Sequence, residues 1–231
     1  MALLSVLAQS IRPEKLGEFE EGVRRLAKRA VERGESWRWT AHQAAVGELG
    51  SIDFVSQAES WSELAARGTV EELAARLLGE KEGQRLIAET RACLQAARQT
   101  ISVDRPDLGY PPEATGATPP FHVVTQIRVR SGGQEALEEL LRKLAEAIPK
   151  VADPGRTLVL QTLVGDLRSY AVVRPLHSLG DLDAQASPQD LLLKAFGPAE
   201  GGLLFRTGLD AIESVERRIV AYRADLSNPR A

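Results

Sequence analysis

Apolar residues recur along this chain in two rhythms, one of period two in short runs and one of three or four in longer runs. Leu16, Phe19, Val23, Leu26 and Ala30 form one helical stripe, and Leu137, Leu140, Leu141 and Leu144 another, each backed by acids and bases. They predict helices at 14–33 and 133–148. β-rich runs ending in Arg12 and Arg130 predict strands at 3–11 and 121–130. Two hairpins follow. The first joins strands at 37–46 and 51–57 through Gly47-Glu48-Leu49-Gly50, and the second joins 156–164 and 169–174 through Gly165-Asp166. Broken helical regions come next, at 62–78 and 81–99 and again at 187–196 and 199–216. Gly79 and Gly197 mark the breaks, with Pro198 suited to a first helical turn. Final strands are expected at 100–104 and 218–223.

The element string occurs twice because the chain is a duplication. A shift of 118 residues aligns Leu3 with Phe121 and runs without a gap to Leu108 opposite Leu226, with 26 identities. Val46-Gly47-Glu48-Leu49 faces Val164-Gly165-Asp166-Leu167, and Arg105-x-Asp107-Leu108 faces Arg223-x-Asp225-Leu226. The expected domains are therefore a module at 1–108, a proline-rich linker at 109–120 and a second module at 121–231. Each module reads β-α-β-β-α-β, the ferredoxin-like order of two helices on one face of an antiparallel sheet. That order leaves one sheet face bare. Yet Leu3-Leu4-Ser5-Val6-Leu7-Ala8, Tyr170-Ala171-Val172-Val173 and Ile219-Val220-Ala221-Tyr222 are apolar on both faces. The expected fold class is α+β: tandem ferredoxin-like modules packed sheet to sheet as an intrachain α+β barrel.

In topology and duplication the chain resembles the dimeric α+β barrel superfamily, in a fused two-module form. Around Ser60-Trp61-Ser62-Glu63-Leu64, after a glycine-containing hairpin, it is distantly similar to antibiotic-biosynthesis-monooxygenase and NIPSNAP-type domains. The resemblance implies a site that binds a small aromatic or polyketide-like molecule and oxidises or isomerises it without a bound metal or cofactor. It also implies a rival, because fused barrels include haem proteins of the chlorite dismutase type whose iron is held by a second-module histidine. His177 is the comparable residue. A third reading is a non-enzymatic protein acting by self-association, as a homodimer, or by binding a partner.

Composition narrows these classes. Formal charge is −3 and evenly spread, so no basic platform for nucleic acid is present. The lone Cys93 excludes an intramolecular disulfide and suits a cytoplasmic setting. The start, Met1-Ala2-Leu3-Leu4, carries no basic leader, and no apolar run reaches the roughly 18 residues of a membrane span. Zinc-protease, P-loop, nucleophile-elbow and dinucleotide-binding motifs are all absent.

The most unusual run is Trp37-Arg38-Trp39-Thr40-Ala41-His42-Gln43 on the second strand. Period-two alternation places Trp37, Trp39 and Gln43 on one face, as a candidate aromatic ligand wall, and His42 on the other, as a candidate proton carrier. The bland alternative is that the tryptophans fill the core. Arg38 and Gln43 recur as Arg156 and Gln161, whereas Trp37, Trp39 and His42 become Gly155, Thr157 and Leu160. Tyr170 is a second catalytic candidate through its hydroxyl. His122 and His177 lack companions at ligand spacing, so no metal site is expected.

Overall fold

The structure is a computed structural model and describes residues 2–111 and 118–229. The first repeat supplies β1 (Leu3–Ile11), α1 (Leu16–Glu32), β2 (Trp39–Val46) and β3 (Ser51–Ala58). Three helices follow, α2 (Trp61–Ala66), α3 (Val70–Leu78) and α4 (Glu80–Arg91), and then β4 (Leu94–Asp104). The second repeat supplies β5 (Phe121–Val129), α5 (Gln134–Lys150), β6 (Leu158–Val164) and β7 (Ser169–Leu176), then α6 (Pro188–Asp210) and β8 (Ile212–Asn228). The strands close into one antiparallel barrel in the order β1-β3-β2-β8-β5-β7-β6-β4. The fold is thus an α+β barrel made from the two repeats, as the doubly apolar strands lead one to expect. Among the described residues no helix is long and apolar enough to cross a membrane.

Contacts divide the chain into two compact units, one running to Ser102 and resuming at Ala221, the other covering Val103–Val220. β4 and β8 each start in one unit and end in the other. Each repeat therefore lends the end of its last strand to the unit built on its sister.

The cores of the two units obey the repeat register. In the first, Ile11, Phe19, Ala41, Ile52, Cys93 and Leu226 form a buried cluster. In the second, the positions 118 residues away are Val129, Leu137, Val159, Tyr170, Ala211 and Leu108, again one buried cluster. Burial of each large apolar side chain contributes about 1.5–3 kcal/mol, so the same six positions anchor both units. The hairpins match as well: Thr40 pairs with Val55 and His42 with Asp53, as Leu158 pairs with Val173 and Leu160 with Ala171. Gly79 and Gly197 hold φ of 89° and 82°, the left-handed backbone expected at the helix breaks. Gly83 and Gly201 serve close approach instead, since a Cβ there would lie 2.6 Å from the Ala74 backbone and 2.4 Å from that of Leu192.

The last strands correct the expected boundaries. β4 begins at Leu94 and β8 at Ile212, where the sequence reads as helix to 99 and 216. Leu94-Gln95-Ala96-Ala97-Arg98 is helix-forming in composition, but propensity is a weak prior beside a tertiary clamp. The Arg12 amide donates to the Cys93 carbonyl and the Arg130 amide to the Ala211 carbonyl, both at 2.8–3.0 Å, which draws each chain out of its helix. Gly109 and Tyr110, read as the start of the linker, are also structured. Tyr110 and Thr157 exchange backbone contacts, and the Tyr110 amide donates to Thr157 Oγ1 at 2.9 Å. Residues 112–117 of the expected linker lie outside the described residues.

Candidate functional site

On the helix-covered face of the sheet, each unit contains the same polar network. Arg223 donates to Glu20 at 2.8 Å and to Asp225 at 2.8 Å, and bonds Gln43. Arg105 donates to Glu138 at 3.0 Å, to Asp107 at 2.8 Å and to Gln161 at 2.7 Å. All four residues of one network align with identical residues of the other across the 118-residue shift. The arginine hydrogen bonds hold Glu138 and Asp225 down to about 2, and pull Glu20 and Asp107 below their ordinary values. The repeat register aligns Arg105-x-Asp107 with Arg223-x-Asp225, but the sequence analysis missed Glu20 and Glu138. Their identity across the repeat was the available signal.

Tyr170 is where the two networks differ. Its hydroxyl donates to Glu138 Oε1 at 2.6 Å, whereas the first unit has Ile52 at that position. Burial, then the Glu138 carboxylate, push the phenol well above its ordinary value, so Tyr170 stays protonated as a donor. It borders a small cavity of about 220 Å³ with Arg130, Ser131 and Arg168. A wider open groove of about 740 Å³ adjoins, lined by Glu135, Leu140, Leu204 and Thr207 among others. Neither cavity is lined by Trp37, Trp39 or His42.

The tryptophans sit with the core. Trp39 is buried among Leu26, Leu73 and Leu77, and its Nε1 donates to the Leu226 carbonyl at 2.9 Å. Trp37 packs at the edge of the same cluster, half-buried. Gln43 is engaged by Arg223 and donates to Glu20 at 3.3 Å. Trp39 and Gln43 share the helix-covered face of β2, as the alternation predicts, while Trp37 lies before the strand and packs against the same cluster as Trp39.

His42 points the other way. Its Nε2 lies 3.0 Å from Thr40 Oγ1, and its ring is 5.8 Å from that of Tyr222. Directly across the β2–β3 ladder stands Asp53, 5% exposed, and beyond it on β1 stands Ala8. The rung Ala8–Asp53–His42 has its equivalent in Gln126–Ala171–Leu160 of the second unit. Thr40 and Tyr222 likewise correspond to Leu158 and Asp104. A half-buried imidazole and a buried carboxylate thus occupy facing positions where the sister repeat has leucine and alanine. Burying such groups costs free energy, which is why a polar cluster in an otherwise apolar layer marks a functional candidate. Asp53 and Tyr222 escaped sequence reasoning, because only the ladder register brings them to His42.

The remaining histidines are dispersed. His122 lies on β5 opposite Pro175, and burial lowers it to about 4. His177 is exposed after β7, where its backbone amide donates to Asp181 Oδ2 at 2.8 Å and fixes the following turn. An axial haem ligand needs a buried imidazole with a supporting shell, so the residues at His177 do not fit a haem site. Among the described residues no three His, Cys, Asp or Glu side chains converge as metal ligands.

No family profile matches the sequence, and no curated protein matches it either. Solved structures of the same fold span nearly the whole chain. One is an anthrone oxidase-like protein, 18% identical, with a TM-score of 0.61 over 99% of this chain and 94% of the other. A candidate monooxygenase from Lactobacillus acidophilus NCFM is 5% identical, with a TM-score of 0.57 over 99% and 97%. The chlorite dismutase of Candidatus Nitrospira defluvii, solved with imidazole, is 12% identical, with a TM-score of 0.55 over 97% and 92%. At these identities the likeness is one of fold: the chain shares the α+β barrel architecture of these structures.

Proposed function

We infer that this protein binds a small aromatic or polyketide-like molecule and acts on it as a cofactor-independent monooxygenase or isomerase. The observation that carries the reading is the rung Ala8–Asp53–His42, which sets a half-buried imidazole opposite a buried carboxylate where the sister repeat has Leu160 opposite Ala171. His42 is the proton acceptor, Thr40 orients it, and the Tyr222 ring supplies an aromatic surface beside it. The residues first expected to form the ligand wall, Trp37, Trp39 and Gln43, back this site from the core side. Tyr170, committed to Glu138, is assigned to structure rather than to chemistry. The neighbouring folds support the class, since two are a candidate monooxygenase and an anthrone oxidase-like protein. The cytoplasmic setting rests on the single cysteine.

Anthrone is a suitable probe. Removal of a methylene proton by His42 leaves an enolate, dioxygen adds to that carbon, and loss of water gives anthraquinone; one anthrone and one dioxygen yield one quinone and one water. The test is thermal denaturation across an aromatic library that includes anthrone, followed by oxygen uptake. A ligand-dependent rise in Tm that disappears in His42→Ala is expected. Absence of any stabilising ligand overturns the reading.

One observation favours the association reading as a second choice. Val46, Leu49, Val164 and Leu167 are 49–72% exposed at the two hairpin tips, and they are identical across the repeat. Sedimentation of the wild-type chain beside a Leu49→Lys, Leu167→Lys variant tests it: a dimer that becomes a monomer supports association, and an unchanged monomer rejects it.

A further inference from the structure

The small cavity of the second unit, about 220 Å³, has no part in the functional reading above. Its lining includes Arg130, Ser131, Gly132, Gln134, Arg168 and Tyr170, and no acid is among the described residues that line it. The floor is rigid. Val129 and Tyr170 are each 2% exposed, and Glu138 accepts from both the Tyr170 hydroxyl, at 2.6 Å, and Gln134, at 3.0 Å. Two guanidinium groups border the space. Arg168 is held by one bond, from Nη1 to Glu213 Oε2 at 2.8 Å, and its other side-chain N–H groups meet no acceptor among the described residues. The exposed Arg130 side chain also has no acceptor among the described residues. The charges around it do not cancel. Arg128 pairs with Asp166 at 3.0 Å and Arg168 with Glu213 at 2.8 Å, which leaves the charge of Arg130 in excess. Glu138 is taken up by Arg105, and Glu135 lines the adjoining groove rather than this cavity.

The first repeat is a built-in control. Across the 118-residue shift Arg130 is retained as Arg12, but Ser131, Gly132 and Gln134 align with Pro13, Glu14 and Leu16. Arg168 and Tyr170 align with Gly50 and Ile52. Relative to the first repeat, the second therefore carries an extra cation, two hydroxyls and an amide at these positions, and one carboxylate fewer. Removing an acid and adding an arginine both raise the local potential in the direction that an anion requires. Gly132 has a φ of 81°, and a Cβ built on it would meet nothing within 4 Å, so the loop leaves the space beside it open.

We propose that this cavity is a binding site for a tetrahedral oxyanion, a phosphate or sulfate group held by Arg130 and Arg168. A guanidinium presents a planar fork of N–H donors that matches two oxygens of such a group, and two forks suit its several oxygens. Ser131 adds a hydroxyl donor. The volume equals about seven times the share of one water in the liquid, so it takes the group with part of its hydration shell. The groove of about 740 Å³ shares Gly132 and Gln134 with the cavity and adds Ala136, Leu140 and Leu204. It gives room for the body of a small organic ester, so the oxyanion is either free or the head of such a molecule. This site is independent of the His42 rung, takes a different ligand and performs no chemistry on it.

Calorimetric titration of the full-length chain with inorganic phosphate, at low ionic strength, tests the site. One phosphate per chain is expected. Arg130→Gln and Arg168→Gln should each weaken it about 10-fold, the usual effect of losing a charge-assisted hydrogen bond. Arg12→Gln, the aligned change in the first repeat, should leave the affinity unchanged. A loss of the same size in Arg12→Gln would mean general attraction of anions to the surface, and it overturns the proposal. Absence of phosphate binding, or binding indifferent to Arg130→Gln, overturns it equally. Should Arg168→Gln not fold, Arg130→Gln decides alone, because its side chain engages no described residue. Sulfate titrated alongside identifies the preferred ion as the tighter of the two. Phenyl phosphate then separates the sources. Binding tighter than that of phosphate, with the gain lost in Leu204→Ser, assigns an ester whose body uses the groove, and equal or weaker binding assigns the free ion. Every variant leaves the His42 rung intact, so failure here does not touch the functional reading.

Discussion

Arg223 and Glu20, 203 positions apart in sequence, are joined by two hydrogen bonds of 2.8 and 3.2 Å. The same fork joins Arg105 to Glu138 at 3.0 and 3.0 Å. Arg223 stands on β8 and Arg105 directly after the end of β4, and each glutamate stands on the first helix of the unit that receives that strand end. The bidentate geometry fixes direction as well as attraction, so the network sets where each borrowed strand end lies.

Removing one arginine leaves a half-buried glutamate and glutamine without their donor. Arg223→Met and Arg105→Met are each expected to cost about 1–3 kcal/mol in urea denaturation. Pairing Arg223→Met with Glu20→Gln should recover part of that loss, because the uncompensated carboxylate is then gone. Additive costs in the double variant would show that the two residues do not act together.

The same network fixes the acid limb of stability. Glu138 and Asp225 titrate near 2 in the folded chain, below the ordinary 4.5 and 3.8. Depressed folded values give stability that is complete above the ordinary range and lost as pH falls toward 2. Denaturation midpoints should therefore fall steeply between about pH 4.5 and 2. The Arg105→Met, Arg223→Met double variant should show a flatter acid limb, and an unchanged slope would count against the network as its source.

A separate window belongs to His122. Burial lowers it from 6.5 to about 4, so the unfolded chain binds a proton between those values that the folded chain does not. Stability is then full above about pH 6.5 and declines as pH falls to about 4. His122→Leu should remove this part of the slope while leaving the lower limb in place. A slope between pH 6.5 and 4 that survives the substitution would assign it to other groups.

Much of this was legible in the sequence, and the rest was hidden for definite reasons. The repeat register alone paired Gly79 with Gly197 and Arg105 with Arg223, and the structure bears out both equivalences. Alternation put Trp39 and His42 on opposite faces, as found. The strand beginning at Leu94 was hidden because Leu94-Gln95-Ala96-Ala97-Arg98 favours helix until a tertiary clamp overrides it. Asp53 was hidden because a lone acid in Ser51-Ile52-Asp53-Phe54 signals nothing until the ladder register sets it against His42.

Trp39 gives a direct check on the packing side of the site. Trp39→Phe keeps most of the buried surface but leaves the Leu226 carbonyl without its donor, for an expected cost of about 1 kcal/mol. Trp39→Ala opens a cavity and should cost about 3–5 kcal/mol. Equal costs for the two would mean that the hydrogen bond, rather than packing, dominates.

The central claim is that one site, on the His42–Asp53 rung, serves the whole chain. Calorimetric titration of the full-length protein with the tightest ligand from the aromatic library tests it most directly. The account predicts one ligand per chain, with binding lost in Tyr222→Ala and unchanged in Leu160→Ala. Two ligands per chain, or binding indifferent to Tyr222, would contradict it.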